Sequence, residues 1–510
     1  MSSPSTAGRG DPVSRALAAN RLGVPSVVFF VITAATPLTV VAGVVTTGYA
    51  TTGLTGIPVA FIGIGLVFGL FAVGFVAMAP HVANAGAFYA YISRGLSRPL
   101  GVAGAWVALL AYNALQVGLY GAIGAAVTPL LREWSGVDLP WWVIALVACA
   151  VVAALGLQHV DVNGKVLAVL LVAEVAVIVC YSVADLFHPA HGAVSFAALS
   201  PTNLLGPGVG AILAIAVLGF VGFESSVVFS EESKDPGRTV RTAAYVSVAL
   251  IAALYAFGAW AMSVATGPEE IVAASRQQSS DLIFNLAGAH LGTAVQDIGR
   301  VLFVTSVLAA MISFHNTTAR YMFALGRERV LPAALGRTSM RTGSPLVGSI
   351  IQSAIGLVVV VLYAAFGLDP MQHLFYWCGT SGGLGVLLLI AVTSIAIISF
   401  FARNDTGESR WRGTIAPVLA AIAVVGVVVL VLANFATLIG VAENSPLRWG
   451  IPLTYLVVGV LGALWGLVLR ARHPEVYATI GLGAKSATTN SVLARTLGTS
   501  DDDAASEEVG

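Results

Sequence analysis

Charge is what this sequence has least of. Only 10% of its 510 residues are Asp, Glu, Lys or Arg, against roughly 25% in soluble domains, so most of its surface cannot face water. Its 25 basic and 25 acidic residues cancel, which leaves no electrostatic footprint for a nucleic-acid partner. Cysteine is nearly absent too: Cys149, Cys180 and Cys378 lie in apolar runs with no CxxC spacing. They read as small buried apolar residues rather than disulfide partners or metal ligands. The chain also lacks a glycine-rich phosphate loop ending in Gly-Lys-Ser/Thr, a His-Glu-x-x-His pair and any zinc, iron–sulfur or haem signature. Nor do facing apolar segments offer a Ser/His or aspartate pair for catalysis. These absences argue against an enzyme, a cofactor protein and a pump carrying its own ATPase module.

What is present is apolar sequence, 57% of the chain. A membrane span needs about 20 such residues, and runs of that kind fall at 27–48, 57–78, 100–128, 140–157, 163–187, 207–230, 241–265, 297–320, 345–366, 372–401, 414–440 and 449–470. The fold expected is therefore an all-α polytopic membrane protein of about twelve transmembrane helices. The first run, Val24 to Ala50, is too long for a signal-peptide core and lacks a convincing cleavage site, so it is expected to stay as a span.

Loop charge orients the chain. With residues 1–23 in the cytoplasm, the inside segments hold Arg94, Arg98, Lys165, Lys234, Arg238, Arg241, Arg327, Arg329, Arg337, Arg341, Arg403, Arg410 and Arg412. The outside segments hold only Arg132, Arg276, Arg300 and Arg448. Both termini are thus expected inside, with residues 471–510, ending in Asp501-Asp502-Asp503 and Glu508, as a disordered tail. The outside connector Gly267 to Val295 mixes apolar and polar residues and is expected to carry short helices. The inside connector Arg320 to Ser344 is expected to prolong the eighth span and break at Pro332. Twenty-two of the basic residues are Arg, which hints at a GC-rich bacterial genome.

A gradient-driven carrier commonly holds substrate at the membrane midplane, between helices whose continuity is broken. A break exposes N–H groups at one half-helix and C=O groups at the other, the pair that a zwitterion needs. The first span carries Ala35-Thr36-Pro37-Leu38-Thr39, and Pro37 disfavours a helical residue before it. Unwinding is expected around Ala35-Thr36, a plain proline kink being the alternative. The sixth carries Gly219-Phe220-Val221-Gly222-Phe223-Glu224, two glycines followed by a mid-membrane carboxylate. Such a carboxylate points to function, or else to a hydrogen-bond acceptor that braces unwound backbone. Glu174 is a second one, in the apolar stretch Leu167 to Val177. It suits proton exchange near neutral pH, with a helix–helix hydrogen bond and exposure to a polar cavity as the competing readings.

Three stretches together resemble the amino acid–polyamine–organocation superfamily of permeases. They are Gly219 to Glu224 followed by Glu231-Glu232-Ser233-Lys234-Asp235-Pro236-Gly237-Arg238, Asn84-Ala85-Gly86-Ala87-Phe88-Tyr89-Ala90-Tyr91, and Asn316-Thr317-Thr318-Ala319-Arg320 through Arg327-Glu328-Arg329-Val330-Leu331-Pro332. The similarity covers about residues 20–470 in order. It implies two inverted five-helix repeats, about 24–187 and 207–401, with two additional helices in 414–470, and alternating access around broken helices 1 and 6. It further implies Phe220 as an aromatic gate over the substrate, Glu224 as the acidic coupling position, Asn113 near the substrate and Phe314 as an aromatic floor.

Two departures stand out: Ala35-Thr36-Pro37-Leu38-Thr39 with Ala42-Gly43 replaces the family's glycine–serine–glycine-like turn, and Glu174 stands where some proton-coupled relatives have lysine. Candidate substrate residues are therefore Ala35, Thr36, Pro37, Thr39, Gly43, Asn113, Gly219, Phe220, Gly222 and Phe314, with Glu174 and Glu224 for coupling. His315 reads as a hydrogen-bonded histidine. Tyr112, Tyr120, Tyr376 and Trp377 suit either the cavity or the interfaces. Glu231-Glu232 with Lys234 and Arg238 reads as a cytoplasmic latch or solvated loop. The function implied is secondary transport of an amino acid or amine across a bacterial plasma membrane, coupled to a proton or run by exchange. An amine-specific permease and a non-transporting receptor on the same fold are the alternatives.

Overall fold

The computed structural model describes residues 23–82, 86–158, 160–228, 233, 235–339 and 342–483. Asn84, Ala85, Glu231, Glu232, Lys234, both outermost tails and the side chain of Lys165 lie outside the described residues. Among the described residues the regular structure is helical, with no strand.

Among the described residues eleven helices are long and apolar enough to cross a membrane, and Trp141–Gly156, of 16 residues, falls just short. Its paired tryptophans Trp141 and Trp142 suit an interfacial anchor. Each expected span has one counterpart, but the ends move. The third runs Arg98–Ser135, because Ser97 caps its start and Gly136, at φ 73°, ends it, while Pro129 is carried inside the helix. The eleventh stops at Ala433, with Phe435–Ile439 set off as a short helix.

Burial separates core from periphery. In the first (Val24–Thr52) and sixth (Val209–Val227) spans, 88% and 89% of the apolar window is buried, against 17% in the last, Leu447–Arg472. Side chains such as Ile422, Val429 and Leu456 on the last two spans are exposed and apolar, as a lipid-facing surface requires. Cys180 is exposed on the fifth span, contrary to expectation, because it shares the outward stripe of Val172, Val179 and Val183. All three cysteines are free.

The connectors follow the sequence with one shift. Outside, Ile271–Gln278, Ser279–Asp281 and Leu282–Leu291 are short helices. His290 in the last of these shares a 3.1 Å hydrogen bond with Asp185 and stacks on His188. Burial and that second imidazole push His290 below the ordinary histidine range. On the other side, the eighth span ends at Arg327 rather than at Pro332, and Arg329 at φ 59° turns the chain.

Residues 474–483, assigned to the tail from sequence, belong to the body. Pro474–Thr479 is helical, and the amides of Gly481 and Gly483 donate to the two carboxylate oxygens of the fully buried Glu328 at 2.6 and 2.8 Å. Tyr89 donates to the same carboxylate at 2.5 Å. Arg98 clasps the segment through the Ala478 carbonyl (3.1 Å) and the Tyr477 ring. The strap so ties together the stretches after the second and eighth spans that carry the superfamily resemblance. A chain ending at Arg472 loses two donors from a buried carboxylate, a penalty of about 1–3 kcal/mol each. It is expected to insert but to melt at lower temperature; an unchanged unfolding midpoint would rule the strap out as a stabilising element.

Candidate functional site

Thr36 breaks the first span. The helix Val24–Ala35 ends there in the left-handed conformation (φ 45°, ψ 71°), and Pro37 takes the first position of the restarted helix. Proline tolerates that position because no amide is needed there, and it drives the residue before it out of the helical region. The helix then continues through a π-helical stretch, Val40–Val45, a local widening that often marks functional sites. One freed group has a clear partner, the Tyr255 hydroxyl donating to the Ala35 carbonyl at 2.6 Å, and the Leu38 amide faces the Glu174 carboxylate.

The sixth span breaks at the matching depth. The helix ends at Phe220, Val221 is extended (φ −59°, ψ 130°) and Gly222 sits at φ +113° before a short helix restarts at Ser225. Glu224 folds back over the turn. Its carboxylate accepts the Gly222 amide at 2.9 Å and the Tyr112 hydroxyl of the third span at 2.8 Å, while Ser225 donates its hydroxyl to the Gly222 carbonyl at 2.6 Å. This geometry is the bracing role that the sequence left open, and it assigns Tyr112 to the brace. The two breaks touch: a Cβ on Gly222 would lie 2.9 Å from Ala34 Cβ and 3.0 Å from the Ala34 carbonyl carbon.

A small cavity of 40 Å³ lies against the breaks. The first span lines it with Ala34, Ala35, Thr36, Thr39, Val40 and Val44, the sixth with Leu218 and Val221. Leu115 and Leu119 of the third span, Phe314 of the eighth, and Phe375 and Gly379 of the tenth close it. Thr36 and Thr39 supply its only polar side chains; every other lining side chain is apolar. Thr39 leads away from the cavity by hydrogen bonds, donating to Ser306 at 3.1 Å, which donates to Glu174 at 2.7 Å. Among the described residues no cluster of His, Cys, Asp or Glu could hold a metal.

Of the candidates, Ala35, Thr36, Thr39 and Phe314 border this cavity, with Pro37 inside the break and Gly43 set against the Phe375 ring. Gly219 and Gly222 are packing glycines: a Cβ on Gly219 would meet Phe61 at 2.7 Å. Phe220 does not line the cavity. Its ring is fully buried beside Phe61 and Phe68, at centroid distances of 6.4 and 5.5 Å. Asn113 lies off the lining as well, its amide donating to the Leu109 carbonyl. Phe220→Ala is therefore expected to lower the unfolding temperature, a buried Phe→Ala change costing about 3–5 kcal/mol, and to shift substrate Kd less than about threefold; a large loss of affinity in a stable variant would return Phe220 to the gate. His315 bonds Ser349 at 2.7 Å, away from the cavity. Ser306, Tyr255, Leu218 and Phe375 escaped the sequence reading, for none differs in kind from its neighbours until the helices are packed.

The family model for amino acid permeases matches residues 22–461, most of the chain. The chain belongs to the amino acid permease family. Curated permeases align with it at low identity. It is 24% identical to the low-affinity putrescine importer PlaP of Escherichia coli K12 over 359 residues, 67% of this chain and 73% of that one. It is 22% identical to the branched-chain amino acid permease BcaP of Lactococcus lactis over 396 residues, 73% and 80% of the two chains. With the chloroplastic cationic amino acid transporter 7 of Arabidopsis thaliana, identity is 25% over 264 residues, which span 47% of this chain and 42% of the plant protein. This permease is thus a transporter by family, not an enzyme, and a multi-pass membrane protein by its helices.

Proposed function

We propose that this permease is a secondary active transporter that carries a small amino compound across the cell membrane by alternating access around its broken first and sixth spans. The observation that carries the reading is the meeting of the two breaks at one buried cavity, Ala34 and Ala35 packed on Gly222. Substrate wedged there would touch both helices, and tilting of either would open the cavity to one side of the bilayer.

Half-helix carbonyl ends on both sides favour an ammonium group, and the apolar remainder suits an aliphatic body. Glu174 is the coupling candidate, because it is a buried carboxylate with neutral partners and reaches the cavity through Ser306 and Thr39. Glu224 stabilises the unwound segment rather than meeting substrate. Loop charge supports an orientation with both termini in the cytoplasm.

The test is uptake of labelled amino acids and amines into proteoliposomes, with and without a pH gradient, in sodium and in choline buffer. Transport of at least one amino compound is expected. Ligand binding with no flux for every compound would make the chain a receptor.

A further inference from the structure

Several amides of the two breaks are engaged within the protein. Thr36 donates to the carbonyls of Ile32 and Thr33, Val221 to Leu218 and Phe223 to Phe220. Pro37 has no N–H. The Leu38 amide faces Glu174, and the Gly222 amide donates to Glu224 at 2.9 Å. Two half-helix starts, where a substrate carboxylate would otherwise dock, each face a carboxylate of the protein itself. The polar side chains that reach the cavity are the Thr36 and Thr39 hydroxyls, and the half-helices Val24–Ala35 and Val209–Phe220 both end beside it with their negative C-terminal poles.

The direction of the hydroxyl chain then matters. An ionised Glu174 only accepts, so Ser306 must donate to it and Thr39 must donate to Ser306. The Thr39 oxygen is left with lone pairs toward the cavity. Protonated Glu174 can instead donate to Ser306, which reverses both hydroxyls and turns the Thr39 hydrogen toward the cavity. An ammonium is welcomed by the first arrangement and repelled by the second.

We propose that the cavity selects an organic ammonium without a carboxylate, and that the Thr39–Ser306–Glu174 chain makes its binding conditional on ionised Glu174, so that each bound cation displaces one proton. The proton leaves the Glu174 carboxyl for solvent, no bond to substrate forms, and cation and proton cross in opposite directions. The proposal rests on this cavity being the transport site.

Other titratable groups near Glu174 are few. The seventh span contributes Tyr255, and its arginines Arg238 and Arg241 lie near its start. The first span has no charged residue between Val24 and Thr52. On the eighth, Asp297 and Arg300 lie one to three turns from Ser306 toward the outer end, and His315 lies more than two turns the other way. On the fifth span itself, Tyr181 and Asp185 sit two and three turns on, with Asp185 engaged by His290 of the outer connector. Glu224 is held by Tyr112 and the Gly222 amide.

The test uses full-length protein in nanodiscs and ligand pairs that differ by one carboxylate: 3-methylbutylamine against leucine, and putrescine against ornithine. Binding is measured across neutral pH, with proton release followed in weak buffer. At least one amine is expected to bind about tenfold or more tighter than its amino acid. Its affinity should rise with pH, by up to about tenfold per unit while Glu174 titrates, with one proton released per ligand. Thr39→Val and Ser306→Ala should flatten that slope, and Thr39→Ser should restore it. Tighter binding of both amino acids, no proton release, or a full slope in a folded Thr39→Val protein overturns the proposal. Flux with a flat pH profile sinks this coupling alone; absence of both binding and flux for all four compounds sinks the transport reading with it.

Discussion

A Gly222→Ala permease is expected to fold, insert and transport about a hundredfold more slowly than wild type. The residue sits at φ +113°, a region that residues with a Cβ occupy only at a cost of about 1–3 kcal/mol. The added methyl would also stand 3.0 Å from the Ala34 carbonyl carbon and 3.2 Å from the Ala35 nitrogen. These are backbone atoms and cannot rotate aside, so overpacking adds a further ~1–3 kcal/mol. Relief requires the two broken helices to part, which pulls Ala34 and Ala35 off the cavity and loosens the turn that Glu224 braces. Gly69→Ala in the second span is the control, because its Cβ would meet nothing within 4 Å. Initial uptake rates of the two variants, normalised to folded protein in the same liposomes, provide the check. Wild-type rates in Gly222→Ala would show that the transport cycle does not need this close approach.

Glu174→Gln is expected to reduce pH-driven accumulation to background while leaving exchange of labelled for unlabelled substrate within about threefold of wild type. Glutamine keeps a carbonyl oxygen for the Ser306 hydroxyl, so the link from the fifth span through Ser306 to Thr39 stays in place. What disappears is the proton-binding site, and with it the link between pH and the Thr39 hydroxyl. A gradient of either orientation should then do no work, whereas substrate-for-substrate exchange needs none. Undiminished accumulation in the variant would remove Glu174 as the proton carrier.

Hydropathy and backbone chemistry made much of this legible from sequence. Long apolar runs are hard to hide, and Pro37 and Gly222 mark their breaks by removing an amide and a Cβ. Facing was not legible. The resemblance implies Asn113 on the third span, yet its neighbours Tyr112 and Leu115 are the ones that meet Glu224 and the cavity; one residue along a helix turns a side chain by about 100°. The same rotation separates Phe220, packed among Phe61 and Phe68, from Leu218 and Val221 on the cavity wall. Ser306 looked like any hydroxyl in an apolar helix, and only the approach of the fifth and first spans gives it two partners. From sequence, 474–483 falls within the tail 471–510, which reads as disordered on its acidic end. Its place comes from Glu328, whose need for donors no local pattern reveals.

That segment follows the last span, so it is also synthesised after it. The twelve apolar helices among the described residues are all synthesised before Gly481 and Gly483 can reach Glu328. Until then a carboxylate bound for full burial waits with Tyr89 but without those two amides. Biogenesis of this permease therefore includes a step, after the span Leu447–Arg472, that is not insertion. The strap closes over a bundle already in the bilayer, and a ribosome stalled before residue 481 would hold the chain one move short of its mature form.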